Sequence, residues 1–345
     1  MISRADIYDI VSEANRAPSV HNTQPTRWEF NGDIIKLYAH LESCLAVGDP
    51  ELRDAGLSCG AALEGTLMAL EARGYEAVAV TDHWTSPQGK TQNGYRLASD
   101  IKITANTNIA PSPLRELTEK RFTWRGKFKI PNANIVQALK DWGVDIPNDV
   151  IVVEAPESLR WLGKINDIAS LGFFKNRAYR EELLSYMRLS PSHPLYELDG
   201  LNRDAMQLSG FEAKAAGAVL KFPLFEAFAS IGLGKTLVSE LEKTLSATAI
   251  VLFLAAPDAS PTEIGRRFYR LWLELTEMGL VGWPMAVIAD DLEVNAQVCD
   301  RFGIKDLSLI NAWRVGCAPQ GTIISPARLA PEQLLFPEQF LFKES

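Results

Sequence analysis

The sequence has little cysteine and little histidine, with four of each in 345 residues. The cysteines form no C-x-x-C pair, and the histidines show neither H-x-x-x-H nor H-E-x-x-H spacing. We therefore expect neither a disulfide framework nor a metal site. The chain also lacks an apolar run of about 18 residues and a signal-peptide core. These absences predict a cytoplasmic protein without a membrane span.

An excess of basic residues is missing as well. The chain has 35 Lys and Arg against 43 Asp and Glu, a net charge of -8. Non-specific nucleic-acid binding needs a basic footprint, so we expect no nucleic-acid partner. No G-x-G-x-x-G follows a strand-like run, and no G-x-S-x-G elbow occurs. These gaps argue against a Rossmann dinucleotide domain and against an α/β-hydrolase.

One relaxed phosphate-loop pattern is present at Gly234, Lys235 and Thr236, with Ala229 in place of the first glycine. A true phosphate loop lies between a buried strand and a helix. The preceding residues contain Pro223 and charges and do not resemble a strand. A lysine near the start of a surface helix fits better, and a P-loop nucleotide hydrolase stays as an alternative.

Both helical and strand periodicities occur along the chain. The turn signal Asn31-Gly32 predicts a hairpin within 27–39. A glycine spacing is repeated in two predicted helices, and we call this repeat the glycine echo: Gly60 and Gly74 are as far apart in the sequence as Gly265 and Gly279. The echo indicates either an internal duplication or two unrelated helices that both end in glycine. The strongest segments are predicted as helices at 3–16, 59–73 and 261–278 and strands at 248–255 and 308–316.

Residues 17–25 are short, polar and bracketed by prolines. Ser19, Asn22, Thr23 and Gln24 offer hydrogen-bonding groups that suit a ligand with many polar edges. The alternative is a helix stop followed by a capped turn.

Residues 120–129 contain five basic side chains in an otherwise acidic protein. Arginine forks such as Arg121 and Arg125 bind phosphate through paired charge-assisted hydrogen bonds. A solvated basic face is the alternative. Further along, the glycine-punctuated loop 279–286 could bring backbone N–H groups against a flat ligand, or could simply be a tight turn.

The order of these segments carries a resemblance. The run APSVHNTQPTRW resembles the PSS-x-N-x-QPW-x-F signature of nitroreductases, and RFTWRGKF resembles their arginine phosphate motif. GLVGWPM resembles their flavin-side loop, and SPARLAPEQLLF their C-terminal arginine segment. Four positions depart: Phe122 replaces a second basic residue, Thr26 replaces the tryptophan, and Ala286-Val287 replaces an acidic-glycine pair. The order of the motifs is similar to the Acg-like branch, which has two nitroreductase-like halves in one chain.

The resemblance implies an α+β, nitroreductase-like fold with mainly antiparallel sheets packed by helices. The two halves, near 1–120 and 121–345, would mimic the usual dimer, so the chain would be a monomeric pseudo-dimer or a homodimer. The helical stretch 172–245 matches the family poorly and is predicted to form a lid.

The resemblance also implies an FMN-dependent oxidoreductase that passes hydride from NAD(P)H to a small-molecule acceptor such as a nitroaromatic or a quinone. The chemistry would occur on the flavin itself, so no catalytic side chain is expected. A flavin-storage protein without turnover is the alternative. The residues expected to bind the cofactor are Pro18, Ser19, Asn22, Gln24, Arg121, Thr123, Arg125, Met285, Ala286 and Arg328.

Overall fold

A computed structural model of the chain describes residues 2–322, 324 and 327–336. The helices of this part of the chain are α1 (Arg4–Ala14), α2 (Arg53–Glu71), α3 (Ala133–Asp145), α4 (Pro156–Lys175), α5 (Arg177–Tyr186), α6 (Gly210–Val219), α7 (Leu224–Ser230), α8 (Gly234–Val238), α9 (Leu241–Thr244), α10 (Pro261–Glu277), α11 (Val287–Asp290), α12 (Leu292–Phe302) and α13 (Pro331–Leu334). The strands are β1 (Thr26–Asn31), β2 (Ile34–His40), β3 (Tyr75–Asp82), β4 (Thr91–Gln92), β5 (Tyr95–Ala105), β6 (Val150–Val153), β7 (Met187–Arg188), β8 (Leu201–Asn202), β9 (Ala249–Ala255), β10 (Val281–Pro284) and β11 (Ser308–Gly316).

Two antiparallel sheets organise the molecule. The first has the order β1-β2-β5-β3, with β4 paired to β5, and the second has the order β10-β11-β9-β6. Helices cover both sheets, so the predicted α+β class is confirmed. The predicted hairpin is also present, but Asn31 pairs with Ile34 and the turn is Gly32-Asp33. Gly32 has φ 64°, the left-handed conformation that this tight turn requires.

The helices α2 and α10 cross at the centre of the molecule, and the glycine echo lies at their contact. A Cβ on Gly60 would come 2.0 Å from the carbonyl oxygen of Thr262, and a Cβ on Gly265 would come 2.1 Å from that of Leu57. The two contacts are equivalent, because each glycine meets the residue three positions before the other. Gly74 and Gly279, with φ 72° and 77°, follow the two helices. The pseudo-symmetry supports the duplication interpretation of the echo.

The same helix α10 joins the two cores. Tyr269 and Leu273 pack with α1, α2 and the first sheet, whereas Phe268, Trp272 and Leu275 pack against the second sheet. The far side of the second sheet is covered by α4, α11 and α12. Because α10 packs on one side against the first core and on the other against the second, it lies between the two sheets.

The C-terminal residues return to the first sheet. Leu334 of α13 is fully buried in the core that contains α1 and Trp28, and the backbone N–H of Phe336 donates to the carbonyl of Trp28 at 2.9 Å. This contact places residues 331–336 against the core of the first sheet, although the predicted boundary assigns them to the second half.

The stretch between β6 and β9 is less continuously helical than the sequence indicates. Helices α4 and α5 are followed by an irregular segment, residues 189–209, that contains only the short strand β8. The relaxed phosphate-loop pattern lies in the five-residue helix α8, and helix α7 comes before it where a strand would be needed. The fold therefore gives this pattern no phosphate-loop geometry. Within the described ranges, no helix has the length and apolar character needed to cross a bilayer.

Glu13 on α1 illustrates how charged side chains connect α1 to the residues that follow α2 and to residue 115. Its carboxylate accepts hydrogen bonds from Arg115 (2.7 and 2.8 Å) and from Arg73 (2.8 Å). Burial alone would raise the pKa of Glu13, but the hydrogen bonds and charges of the two arginines outweigh it and lower this pKa to about 2.

Glu13→Gln is therefore expected to lower the free energy of unfolding by about 1–2 kcal/mol at pH 7, after allowance for solvent screening. A carboxylate whose pKa is lowered in the fold stabilises the protein at pH values above its ordinary pKa of 4.5. This stabilisation is lost as the pH falls towards the folded-state pKa of about 2. Urea unfolding from pH 7 to pH 3 should show the gap between wild type and variant closing. Glu51→Gln, at an exposed position, is the control; a gap that does not change with pH would contradict the assignment.

Candidate functional site

The loop after α1 is held in an unusual backbone conformation. His21, Asn22 and Gln24 have φ of 46°, 56° and 49°, a left-handed region that non-glycine residues rarely adopt. The hydroxyl of Ser19 accepts a hydrogen bond from the backbone N–H of Gln24 at 3.0 Å and closes the loop. A backbone strained in this way persists only where contacts with the surrounding structure hold it, and such residues are concentrated at functional sites.

Two side chains of this loop tie it to distant parts of the chain. Asn22 donates to the carbonyls of Gly200 (3.2 Å) and Ala327 (3.0 Å) and accepts from Arg328 (2.7 Å). Gln24, which is buried, accepts from Asn15 at 2.7 Å and donates to the carbonyl of Leu198 at 2.8 Å. The loop is therefore the meeting point of α1, the irregular segment and the C-terminal arginine.

The arginine segment runs beside β10. Thr123 forms a parallel bridge with Gly282, and the backbone N–H of Trp124 donates to the Gly282 carbonyl at 3.2 Å. Its basic side chains divide into two groups. Lys120, Lys127 and Lys129 are exposed, whereas the arginines at 121 and 125 turn inward. The solvated-face interpretation thus fits the lysines but not the arginines.

These segments enclose one cavity of about 70 Å³. This space fits a phosphate-sized group and is smaller than a whole flavin nucleotide. Seven of the ten residues singled out from the sequence line it. The full lining is Pro18, Ser19, Asn22, Arg121, Phe122, Thr123, Arg125, Gly200, Leu201, Ala205, Ile324, Ala327 and Arg328.

Three arginines and no carboxylate line this cavity. Arg121 and Arg328 each donate one N–H to the carbonyl of Arg16, at 3.0 and 3.1 Å, and Arg125 donates to the carbonyl of Ala205 at 3.1 Å. Among the residues described, no ion pair joins these three arginines to an acid. The buried Nε atoms of Arg121 and Arg328 have no hydrogen-bond partner. Arg328 also donates to the Oδ1 of Asn22 and to the carbonyl of Ala327, at 2.7 and 2.8 Å. The three guanidinium groups are thus bonded to neutral acceptors only, and their positive charges are not neutralised by an acid among the described residues.

The pKa values of the arginines also reflect the lack of acidic partners. Burial lowers the pKa of Arg328 to about 9, and the charge of Arg121 adds to the effect. Burial lowers the pKa of Arg125 to about 10, and Glu240 offsets only part of this shift. Both guanidinium groups remain protonated at neutral pH. A bound anion would restore the favourable energy that each charge loses on leaving water.

Aromatic side chains of α10 support Arg121 from behind. Its guanidinium lies 4.7 Å from the ring centre of Trp272 and 5.9 Å from that of Tyr269. Ring faces attract a cation without competing for its N–H groups. The helix shared by the two cores therefore aims Arg121 at the cavity and leaves its donors available.

Three of the singled-out residues do not line the cavity. Gln24 lies behind the loop, where it holds the loop conformation. Met285 is buried in the core that covers the far side of the second sheet, and Ala286 follows it; their place beside a flavin ring stays a prediction. Ser325 and Pro326 of the C-terminal motif lie outside the described residues.

The sequence analysis missed the contribution of Gly200, Leu201 and Ala205, which line the cavity from the irregular segment. They carry no polar or charged side chain and lie in the stretch with the poorest resemblance to any motif. No sequence signal was available to find them, because they border the cavity through backbone and apolar atoms.

The sequence is similar over limited lengths to proteins named as nitroreductases. The chain is 40% identical over 68 residues to a putative NAD(P)H nitroreductase of Mycobacterium tuberculosis, and 31% identical over 124 residues to the putative NAD(P)H nitroreductase acg of the same organism. Over these lengths, the chain is similar in sequence to putative NAD(P)H nitroreductases. The similarity to nitroreductases expected from the motifs is thus confirmed.

The nitroreductase similarity is local. The matches span 20% and 32% of this chain and 20% and 37% of the two relatives. No family model matches the chain. Among solved structures, the FMN-dependent nitroreductase NfnB from Mycobacterium smegmatis in complex with NADPH aligns over 64% of this chain and 90% of its own, with 17% identity and a TM-score of 0.32. A putative nitroreductase from Anabaena variabilis aligns over 82% and 69%, with 14% identity and a TM-score of 0.34.

Proposed function

We propose that the chain is an FMN-dependent oxidoreductase that passes hydride from NAD(P)H to a small acceptor such as a nitroaromatic or a quinone. The observation that supports it is the cavity lined by three arginines, of which Arg121 is buried and Arg125 and Arg328 are partly buried, without an acidic partner among the described residues. FMN ends in a dianionic phosphate, and guanidinium groups are the best-matched side chains for it. The sequence similarity to putative NAD(P)H nitroreductases supports the same activity.

The residues of the cavity have distinct proposed roles. Arg121, Arg125 and Arg328 would hold the phosphate, and the hydroxyl of Thr123 would bind a phosphate or ribityl oxygen. Pro18, Ser19 and Asn22 would face the flavin from the strained loop, while Gln24 would keep that loop in place. The backbone at Met285 and Ala286 would border the reactive nitrogen of the ring. When bound, FMN would supply the hydride chemistry, so these side chains bind and orient.

We further propose that the chain consists of two nitroreductase-like halves, near 1–120 and 121–345, and that residues 172–245 act as a lid. The equivalent glycine contacts between α2 and α10 support the two halves. The hydrogen bonds from Asn22 and Gln24 to the carbonyls of Gly200 and Leu198 support a lid that closes on the loop. Such a lid would keep water and competing oxidants from the reduced cofactor.

The test begins with the visible absorption spectrum of the purified protein and identification of any released cofactor by mass. We expect FMN, bound as purified or after reconstitution. We then expect the FMN-loaded protein to oxidise NADH or NADPH faster than free FMN does when a nitroaromatic or a quinone is supplied. A protein that cannot be loaded with FMN contradicts the proposal, and a loaded protein without turnover indicates the flavin-storage alternative.

A further inference from the structure

A second, larger cavity lies among the helices between β6 and β9. It measures about 330 Å³ and is enclosed by α4, α5, α6, α8 and α9 together with the irregular segment. Its wall includes Phe174, Met187, Met206, Ala216 and Lys243, and we call it the helix chamber. It shares no lining residue with the cavity of the three arginines. Cavities of about 300 Å³ or more are typical of sites for small organic ligands.

Aliphatic side chains form most of the wall of the helix chamber. Met187 and Met206 border it together with leucine, valine and alanine residues. Phe174 is the one aromatic residue in this lining, as far as the structure describes the chain. Stacking on a flat ligand needs aromatic rings, whereas methionine side chains adapt to irregular shapes. The wall therefore suits a flexible hydrocarbon chain better than a flat ring system.

The polar residues of the helix chamber are concentrated at one stretch of its wall. Three of the four lie within residues 239–243, where α8 leads into α9, and the fourth is Ser170 on α4. The other lining residues are apolar. A ligand that is apolar over most of its length and polar at one end matches this distribution.

Lys243 is the cation of this polar stretch, and it lacks an acidic partner. Glu240, which also borders the chamber, is already paired with Arg314 at 2.7 Å. Lys243 has no ion pair within the part of the chain that the structure describes, and its ammonium lies 5.0 Å from the ring centre of Trp283. Burial lowers the pKa of Lys243, with Glu240 opposing the shift. An anionic group on a ligand would compensate the charge that Lys243 brings into this apolar surrounding.

The helix chamber meets the solvent at an apolar edge. Leu237 lines the chamber and is nevertheless 40% exposed. Leu233, one helical turn earlier, is 43% exposed. An apolar ligand can therefore reach the chamber along hydrocarbon side chains.

We propose that the helix chamber binds a single-chain fatty acid, with the carboxylate paired to Lys243 and the hydrocarbon chain along the aliphatic wall. A fatty acid neither donates nor accepts hydride, so this site is additional to the proposed function. Because the chamber is separate from the cavity of the three arginines, binding requires neither FMN nor turnover. The bound chain would fill the space between α4, α5, α6 and α8 and stabilise their packing.

Decanoate is a suitable probe, and calorimetry on the full-length protein, with and without added FMN, measures its binding. We expect saturable binding of one decanoate per chain. Octanoate should bind about tenfold more weakly, because each methylene group that leaves water contributes to the affinity. Naphthalene-2-sulfonate, a flat anion, should also bind at least tenfold more weakly than decanoate.

Ala216→Phe tests the position of the hydrocarbon chain. The added ring would occupy part of the chamber, so binding of decanoate should weaken at least tenfold. Ala218→Phe is the matched control, since Ala218 is exposed on the same helix and borders no part of the chamber. It should bind decanoate like the wild type.

Lys243→Met tests the charge separately and also serves if Ala216→Phe fails to fold. It should weaken binding of decanoate about tenfold, as expected for a lost contact to a charged group, and leave binding of neutral 1-decanol within about twofold. Lys214→Met, at an exposed position of α6, is the control for charge and should bind decanoate like the wild type.

Three results would overturn the assignment. A wild-type protein that does not bind decanoate saturably has no fatty-acid site. Equal effects of Ala216→Phe and Ala218→Phe, or of Lys243→Met and Lys214→Met, would place the ligand outside the helix chamber. Tighter binding of naphthalene-2-sulfonate than of decanoate would show that the chamber selects a flat ring and not a hydrocarbon chain.

Discussion

Gly265→Ala is expected to lower the free energy of unfolding by about 3 kcal/mol or more, the upper end of the range for overpacked cores. The added methyl group would lie 2.1 Å from the carbonyl oxygen of Leu57 and 2.7 Å from its Cα. These are backbone atoms of α2, so no side-chain rotation relieves the clash and the two helices must separate. Because α10 contributes to both cores, the separation loosens the packing on both sheets.

Urea unfolding measures this effect, and the chain contains a matched control. Gly172 on α4 is exposed, and a Cβ there would meet nothing within 4 Å. Gly172→Ala should therefore raise stability by about 0.5–1 kcal/mol, the usual gain of alanine over glycine inside a helix. If the free energy of unfolding falls for Gly265→Ala and rises for Gly172→Ala, the helix contact and not helix propensity determines the effect at Gly265. Equal small effects would mean that the helices do not approach as closely as described.

The equivalent position provides a second check on the duplication. Gly60→Ala places its Cβ 2.0 Å from the carbonyl oxygen of Thr262. If α2 and α10 are related by the internal symmetry, the Gly60 and Gly265 variants should be destabilised by similar amounts. A large effect at only one of them would argue that the glycine echo has no common structural cause.

The sequence indicated this helix pair but could not show the contact. Two glycines at equal spacing are visible in the chain, yet their crossing depends on which faces of α2 and α10 meet. The start of α2 was also misplaced: the helix begins at Arg53, not at Cys59. The N-cap residue is Leu52, whose side chain cannot cap a helix, and the carboxylate of Asp49 instead accepts the backbone N–H of Ala55 at 2.8 Å. The usual N-cap signal is therefore missing at the true start of α2.

The residues of the candidate site likewise fall into those that the sequence could indicate and those that only the structure shows. Residues that contribute charge or hydrogen bonds could be singled out: Asn22 and Arg121 lie in conspicuously polar and basic segments, and Arg328 was identified through the resemblance to nitroreductases. Residues that contribute shape could not. Ala205 borders the cavity only because Arg125 holds its carbonyl, and Trp272 resembles any buried helix residue until its position behind Arg121 is known. Side-chain chemistry is local in sequence, whereas cavity walls are assembled from distant segments.

The double variant Arg121→Met/Arg328→Met is expected to weaken FMN binding at least about a hundredfold. Each lost charge-assisted contact costs about 1.5–3 kcal/mol, and the double change removes the two guanidinium groups whose buried Nε atoms lack partners. Fluorescence titration of the flavin-free protein with FMN measures the loss. Full retention of FMN would show that these arginines do not form its phosphate site.

A second readout separates a ligand site from a structural one. The two arginines have no acidic partner in the described chain, and burial lowers both of their pKa values. Hydrogen bonds to neutral groups and, for Arg121, two aromatic rings offset only part of the cost of burying these charges. We therefore expect the free energy of unfolding of the flavin-free double variant to be no lower than that of the flavin-free wild type. Arg73→Met is the contrasting control, because Arg73 is paired with Glu13 at 2.8 Å and lines no part of the cavity. It should lose stability and keep FMN. Since a purely structural role for Arg121 and Arg328 would lower the stability of the flavin-free protein, the two measurements together decide whether the buried charges are maintained for the fold or for an anion that the fold is built to receive.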